Sequence, residues 1–342
     1  DGSPIVKDIY YDDTPDNGVY DPVWKTIVLT GLGAGGHGYF ALDITDVNNP
    51  KHLFTIQNDP FNTIVKHWDE NAAYNDYNYE DGNINADYDY IKLGEAWSTP
   101  RIIRIKVSGK DKWVAVFGGG YNGSVNGYYG SAVFVMDLED KGKLLKKIDI
   151  VDYLHWLSGY NYADGTTTDF NLPWNYRTKD FYIRVKINDA SPTSYTLTGT
   201  YDESTGMMSG AKIQFATAPA SGSNVEIFKV PASNIVNSIP ADLSVITAAG
   251  TSKANYSGAM IYATDLEGKI TKINLTDQGT LYESTILFDA EANNDNGRYI
   301  YTRPEVTINN DNNLWLYFGT GNTQKLQEES SEIKNRLYGI KD

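Results

Sequence analysis

The sequence contains no cysteine. That removes disulfide scaffolds, thiolate metal sites and cysteine nucleophiles at once, and it fits an exported bacterial protein. Histidine is scarce. His37, His52, His67 and His155 are scattered, without metal spacing or neighbouring acid partners, so each reads as structural or solvent-facing. Nucleophile-elbow and HExxH patterns are absent. No stretch approaches the roughly 18 apolar residues of a membrane helix, so no membrane insertion is expected. Basic residues are in deficit, 29 Lys and Arg against 44 Asp and Glu, for a net charge of −15. Nucleic acid and anionic lipid both demand clustered Lys and Arg, and are disfavoured as partners. A signal peptide is also missing. The chain opens inside a strand-like pattern, as expected of a mature portion or a fragment.

Helical periodicity is nearly absent too, and what replaces it is β-structure. The 342 residues are 41% hydrophobic, enough for a sizeable core, with 26 Tyr and 31 Gly. Short β-rich runs end in Gly, Asn or Asp: KTIVLTGLG, GYFALDITD, KWVAVFGGG, SAVFVMDLED, MIYATDLEG, KITKINL, LWLYFGTG and RLYGIKD. Alternation of apolar and polar residues, with frequent turn signals, indicates an antiparallel all-β fold. GYFALDITD, AVFVMDLED, IYATDLEGK and RLYGIKD share an apolar pair, a small residue and an Asp before a turn. Most are preceded by a strand ending in glycines. Such a recurring unit is the signature of β-propeller blades, with a β-sandwich as the ordinary alternative. Blade-like units begin near residues 3, 97, 238 and 299. Four rarely close a ring alone, so further blades are expected outside this chain.

Residues 160–232 lack the blade unit but carry their own alternating strands, FYIRVKI, SYTLTGTY, AKIQFATA and NVEIFKV. They read as a small β-domain inserted at an exposed loop, between propeller parts 1–159 and 233–342. The stretches DGTTTDFNLP and ATAPASGSNVEI resemble small β modules of phage tail fibres, which implies a display role.

The stretches WKTIVLTGLGAGGHGYFALDITDVNNP, WSTPRI, WVAVFGGGYN, VFVMDLEDKGKLLKKID, IYATDLEGKITKINL, YTRPEV, LWLYFGTGN and RLYGIKD occur in this order. Together they resemble the C-terminal propeller of PilY-type type IV pilus tip proteins, the family that includes neisserial PilC adhesins. The resemblance implies a non-enzymatic protein of the pilus tip or cell surface, exported through the periplasm. It would support pilus assembly and adhesion, with minor pilins or the pilus tip as partners and a surface or host ligand. A purely structural filament cap is the alternative. The family's calcium loop would fall at residues 251–259, TSKANYSGA, which carry no carboxylate, so calcium is not carried over from there.

A different stretch, EDGNINADYDY, has an oxygen-bearing side chain at every second position: Asp81, Asn83, Asn85, Asp87 and Asp89. It lies in a block, residues 69–95, with eight Asp or Glu against one Lys, which repels itself unless solvated or neutralised by cations. Calcium takes six to eight oxygens, and a curled loop offers them from alternate positions. These five residues are therefore the expected calcium ligands. Ala86 stands where an EF-hand has Gly, and Lys92 where the bidentate Glu belongs; Glu80 or Glu95 could substitute. A solvated Asx-turn ladder is the bland alternative. Weaker matches occur at Asp12, Thr14 and Asp16, and at Asp289, Glu291, Asn293 and Asp295. The blades and YFGTGN also occur in quinoprotein dehydrogenases, the less favoured enzymatic reading, in which Trp97, Trp113 and Trp315 are more simply blade-packing residues. GLGAGGHG leads into a strand rather than a helix, which rejects a dinucleotide loop and leaves a tight hairpin with φ > 0.

Overall fold

The computed structural model describes residues 2–13, 19–79, 84–122, 129–150, 155–156, 163–172, 175–178, 181–188, 190–192, 194–231, 237–247, 257–292, 296–311, 313–323 and 335–342. Two compact units emerge, Asp1–Ile150 with Ile235–Asp342, and Val151–Asn234. Sheet I comprises β1 (Ile5–Tyr11), β2 (Val23–Gly31), β3 (Gly38–Asp43), β4 (Lys51–Asp59), β5 (Ile64–Trp68) and β6 (Tyr74–Asn78). Sheet II follows with β7 (Arg101–Val107), β8 (Lys110–Gly118), β9 (Ala132–Asp137) and β10 (Leu144–Asp149). The second unit holds β11 (His155–Trp156), β12 (Asp169–Asn171), β13 (Tyr176–Arg177), β14 (Phe181–Ile187), β15 (Thr196–Asp202), β16 (Met207–Gln214) and β17 (Val225–Pro231). Sheet III contains β18 (Ser244–Ile246), β19 (Met260–Thr264), β20 (Lys269–Asn274) and β21 (Ser284–Asp289). Sheet IV contains β22 (Glu305–Ile308), β23 (Leu314–Gly319) and β24 (Leu337–Lys341). All pairings between these strands are antiparallel.

In the first unit the sheets stack face to face in chain order. Ile9, Ile27, Leu29 and Phe54 of sheet I meet Ala115, Phe117, Phe134 and Met136 of sheet II. The opposite face of sheet II, Ile105, Val116, Val133 and Val135, meets Ile261, Ala263 and Ile273 of sheet III. Tyr262 and Ile270 on the far side of sheet III then meet Leu316 and Phe318 of sheet IV. This stacking explains the run-by-run patterning. Strand β9, AVFVMD, is buried throughout because its alternate residues enter two different cores, and a strand covered on both faces needs no polar side. Strands β2 and β23 alternate because only one face of their sheets is covered. Each fully buried Val, Leu, Ile or Phe contributes about 1.5–3 kcal/mol to this stacking. Consecutive sheets stacked in this way make a β-propeller-type fold. Among the described residues no core joins sheet IV back to sheet I, so the array is open.

Two local motifs have distinct physical origins. In VFGGGYN a Cβ on Gly118 would lie 2.4 Å from the Ile239 side chain, and one on Gly119 would lie 2.5 Å from the Gly130 carbonyl oxygen. Gly120 combines a φ of +89° with a Cβ position 1.8 Å from the Glu95 carbonyl oxygen. The glycines thus let three backbone segments touch. In GLGAGG, by contrast, only Gly33 has the positive φ expected of the hairpin, at 61°. The strand-ending Asp is turn chemistry: Asp43 accepts from the Thr45 amide, Asp137 from that of Glu139 and Asp265 from that of Lys269, at 2.9–3.0 Å.

That chemistry corrects the repeat inferred from sequence. GYFALDITD, AVFVMDLED and RLYGIKD are third strands of their sheets, whereas IYATDLEGK is the second strand of sheet III. An Asp that closes a turn suits any strand end, so the resemblance reports the turn and not the place in the blade. Nor are the blades uniform. Sheet I has six strands, because the β5–β6 hairpin extends it, and sheet IV has three.

The sequence-based segment 160–232 falls within the second unit. Its strands form one three-stranded sheet, β11-β17-β14, and one built on β16, which pairs β12, β13 and β15. Phe170, Val185, Ile213, Phe215, Val225 and Ile227 belong to its own core.

Candidate functional site

The loop between sheets I and II is built from its aromatic residues outward. Tyr88 stacks on Tyr77 (4.5 Å, 9° between planes) and packs tilted against the His67 ring (4.5 Å, 38°). Tyr90 is fully buried against Phe134 and donates to the Gly142 carbonyl at 2.8 Å. Asn58 donates to the carbonyls of Ile91 and Leu93 at 3.0 and 2.8 Å. Residues 84–94 are therefore a wedge packed between two sheets. Burial raises the Tyr88 and Tyr90 phenols above their ordinary range and lowers the His67 imidazole, so all three are neutral packing groups at pH 7.

Of the five expected calcium ligands, Asp81 and Asn83 lie outside the described residues. Asn85 caps a one-turn 3₁₀ helix, Ala86–Tyr88, and its Oδ1 accepts from the Asp87 amide at 3.0 Å. Asp87 is exposed, with Lys143 Nζ 3.8 Å from its carboxylate. Asp89 Oδ2 accepts from Lys147 Nζ at 2.5 Å, while its Oδ1 is buried without a hydrogen bond among the described residues. Lys92, at the twelfth loop position, pairs with Asp149 at 2.8 Å. Glu95, a candidate substitute ligand, accepts from Trp97 Nε1 at 2.9 Å; Glu80 lies outside the described residues. The second half of the acidic block thus meets lysines in and just before β10. Among the described residues no group of three or more His, Asp or Glu could hold a metal ion.

The other candidates resolve individually. Thr14, Asp16, Asn293, Asp295 and residues 251–256 lie outside the described residues. Asp289 accepts from the Glu291 amide at 2.7 Å, an ordinary Asx turn. His52 bonds the Asp69 carbonyl and the Thr55 hydroxyl, both at 2.9 Å, and burial lowers His37. Trp113 packs on the first core, Trp97 stacks on Tyr121 at 4.4 Å, and Trp315 alternates with the core residues Leu314 and Leu316, on the other face of sheet IV.

Sequence reasoning missed a buried polar cluster at the β19–β20 turn. Asn237 Nδ2 donates to Asp265 at 3.0 Å and to Glu267 at 3.1 Å, and Lys269 Nζ donates to Glu267 at 2.9 Å. All four residues are at most 9% exposed. Burial pushes the Asp265 carboxyl up to about 7 and lowers Lys269. The available signal was DLEGK, charged residues set between two strands buried on both faces.

Comparison with known proteins bears on the first half of the chain. Residues 1–164 match the family model of the PilY1 beta-propeller domain. The type IV pilus biogenesis factor PilY1 of Pseudomonas aeruginosa (strain UCBPP-PA14) is 29% identical over 150 residues, which are 44% of this chain and 9% of that protein. A PilY1 homolog of Xylella fastidiosa (strain Temecula1) is 27% identical over 152 residues, 44% of this chain and 8% of that protein. The crystal structure of the Pseudomonas aeruginosa PilY1 C-terminal domain aligns with all of this chain and 49% of its own length, at 18% identity and a TM-score of 0.43. The chain is thus an all-β protein resembling PilY1, with the sequence likeness carried by the segment that contains sheets I and II.

Proposed function

We propose that this chain belongs to a non-enzymatic protein of the type IV pilus tip or cell surface, which supports pilus biogenesis and adhesion. The observation that carries the reading is the match of residues 1–164 to the PilY1 propeller, in relatives named as type IV pilus biogenesis factors. Sheets welded by shared cores make a stiff body suited to display, and without cysteine it needs no disulfide formation after export through the periplasm. In this reading minor pilins or the pilus tip are its partners. Deleting the encoding segment in the native host, then counting surface pili by electron microscopy, tests it. Fewer pili and weaker surface attachment are expected; unchanged piliation overturns it.

The reading includes a calcium loop at Asp81, Asn83, Asn85, Asp87 and Asp89. Supporting it are the density of carboxylates and the buried, unbonded Oδ1 of Asp89. Lys147 holds the other oxygen of Asp89, so calcium competes with an ammonium. Affinity should then be that of extracellular modules, with a Kd of about 10⁻⁴–10⁻³ M. In calorimetry, Lys147→Met should tighten binding and Asp81→Ala with Asp89→Ala should abolish it. Equal binding by all three proteins, or none by any, returns the stretch to a polar loop.

A further inference from the structure

The first strands of sheets I–IV, β1, β7, β18 and β22, are each an edge strand of their sheet. Residues of β1, β7 and β18, together with Thr247 and Arg303 on the approach to β22, line one cavity of about 480 Å³. Its titratable lining is entirely basic: Lys7, Arg101 and Arg303. Three bases sharing one cavity without an acid is unexpected in a chain with a net charge of −15.

The positions of two of these residues are informative. Lys7 alternates with Ile5, Ile9 and Tyr11 on the core-facing side of β1, yet is itself exposed. Arg101 shares its side of β7 with Ile103 and Ile105, which enter the second core. A cation in a core-facing register is costly unless it is solvated or paired. Existing pairing is slight. Arg101 is 4.0 Å from Asp242, whose other oxygen accepts from the Thr99 amide at 2.7 Å. Arg303 is 3.5 Å from Glu305, a side chain 77% exposed to water. Lys7 has no carboxylate partner among the described residues. Neither Asp242 nor Glu305 lines the cavity.

We propose that Lys7, Arg101 and Arg303 form an anion-binding site among these first strands, for a small, multiply charged carboxylate or phosphate compound. Two guanidinium forks present paired donors that match carboxylate and phosphate oxygens, and the lysine adds a mobile charge. Aliphatic walls from Ile5, Ile102 and Val245 lower the local dielectric and focus the positive field. The volume lies within the range of small-molecule sites and admits a compact polyanion.

Citrate and pyrophosphate serve as probes, titrated into the full chain by calorimetry in low-salt buffer. At least one should bind saturably at one site per chain and weaken as chloride is added. Which of them binds tells carboxylate from phosphate. Arg101→Gln and Arg303→Gln should each lower affinity about tenfold, the scale of one lost charge-assisted hydrogen bond. Lys7→Gln, on an exposed side chain that folding tolerates, should weaken binding as well. The control pair Lys51→Gln with Lys110→Gln, both exposed and neither part of the cavity lining, should leave affinity unchanged. No saturable binding of either anion, or equal loss in the control pair, overturns the proposal.

Discussion

Removing the Tyr90 side chain tests whether the acidic loop is a wedge holding sheets I and II together. Tyr90 has no exposed surface, packs on Phe134 with ring centroids 5.3 Å apart, and donates to the Gly142 carbonyl at 2.8 Å. That acceptor is itself fixed: Gly142 has a φ of +76°, and a Cβ there would lie 2.7 Å from the Phe54 ring. Tyr90→Phe deletes one buried hydrogen bond and strands the carbonyl, which should cost about 1–2 kcal/mol. Tyr90→Ala also empties an aromatic-sized space in a rigid core, for a loss of about 3–5 kcal/mol. Tyr74, 49% exposed on β6, is the control, and Tyr74→Ala should stay within about 1 kcal/mol. Urea unfolding followed by tryptophan fluorescence gives the values. Because the chain has two units, hydrogen exchange at the β8 and β9 amides identifies the transition of the stacked sheets. If Tyr90→Ala costs less than about 1.5 kcal/mol on that transition, well below the usual cost of an aromatic-to-alanine core change, the loop is a surface feature and the wedge argument fails.

Gly120→Ala should abolish soluble expression or lower stability by more than about 3 kcal/mol, since positive φ and backbone overlap act together; a near-native melting temperature contradicts this. Asp265, facing Asn237, Glu267, Lys269 and Asp289, should make stability pH-dependent. Its folded pKa of about 7 exceeds the ordinary 3.8, so the native state holds an extra proton between these values and stability falls as pH rises through that window. Urea midpoints from pH 4 to 8 should therefore decline in the wild type relative to Asp265→Asn, and parallel curves refute the assignment. Replacing residues 151–234 by a short Gly-Ser linker should leave the sheet I–IV transition near its original midpoint, because that segment has its own core; a much lower cooperative midpoint would show that it stabilises the sheets.

The sequence by itself determined whatever depends on near neighbours along the chain. Alternation and turn signals in runs such as KTIVLTG and AVFVMD were enough to give antiparallel strands, whereas the coverage of β9 on both faces emerged only from the stacking of the sheets. The glycines of VFGGGYN and the Asp ending four of the runs marked turns, while the close backbone approach at Gly119 and Gly120 was visible only in the structure. The same local character misled where place in a sheet mattered: IYATDLEGK looked equivalent to GYFALDITD and AVFVMDLED because its Asp also closes a turn, though it is a second strand where they are third strands. The β5–β6 hairpin was overlooked because YNDYN, at the sheet edge, is almost wholly exposed and needs no apolar alternation. Only the tertiary structure set Lys147 against Asp89, 58 residues away, and brought Lys7, Arg101 and Arg303 to one cavity. Propensity and patterning act over a turn or a strand, whereas these encounters depend on which sheet stacks on which, and that is decided by burial summed over whole faces.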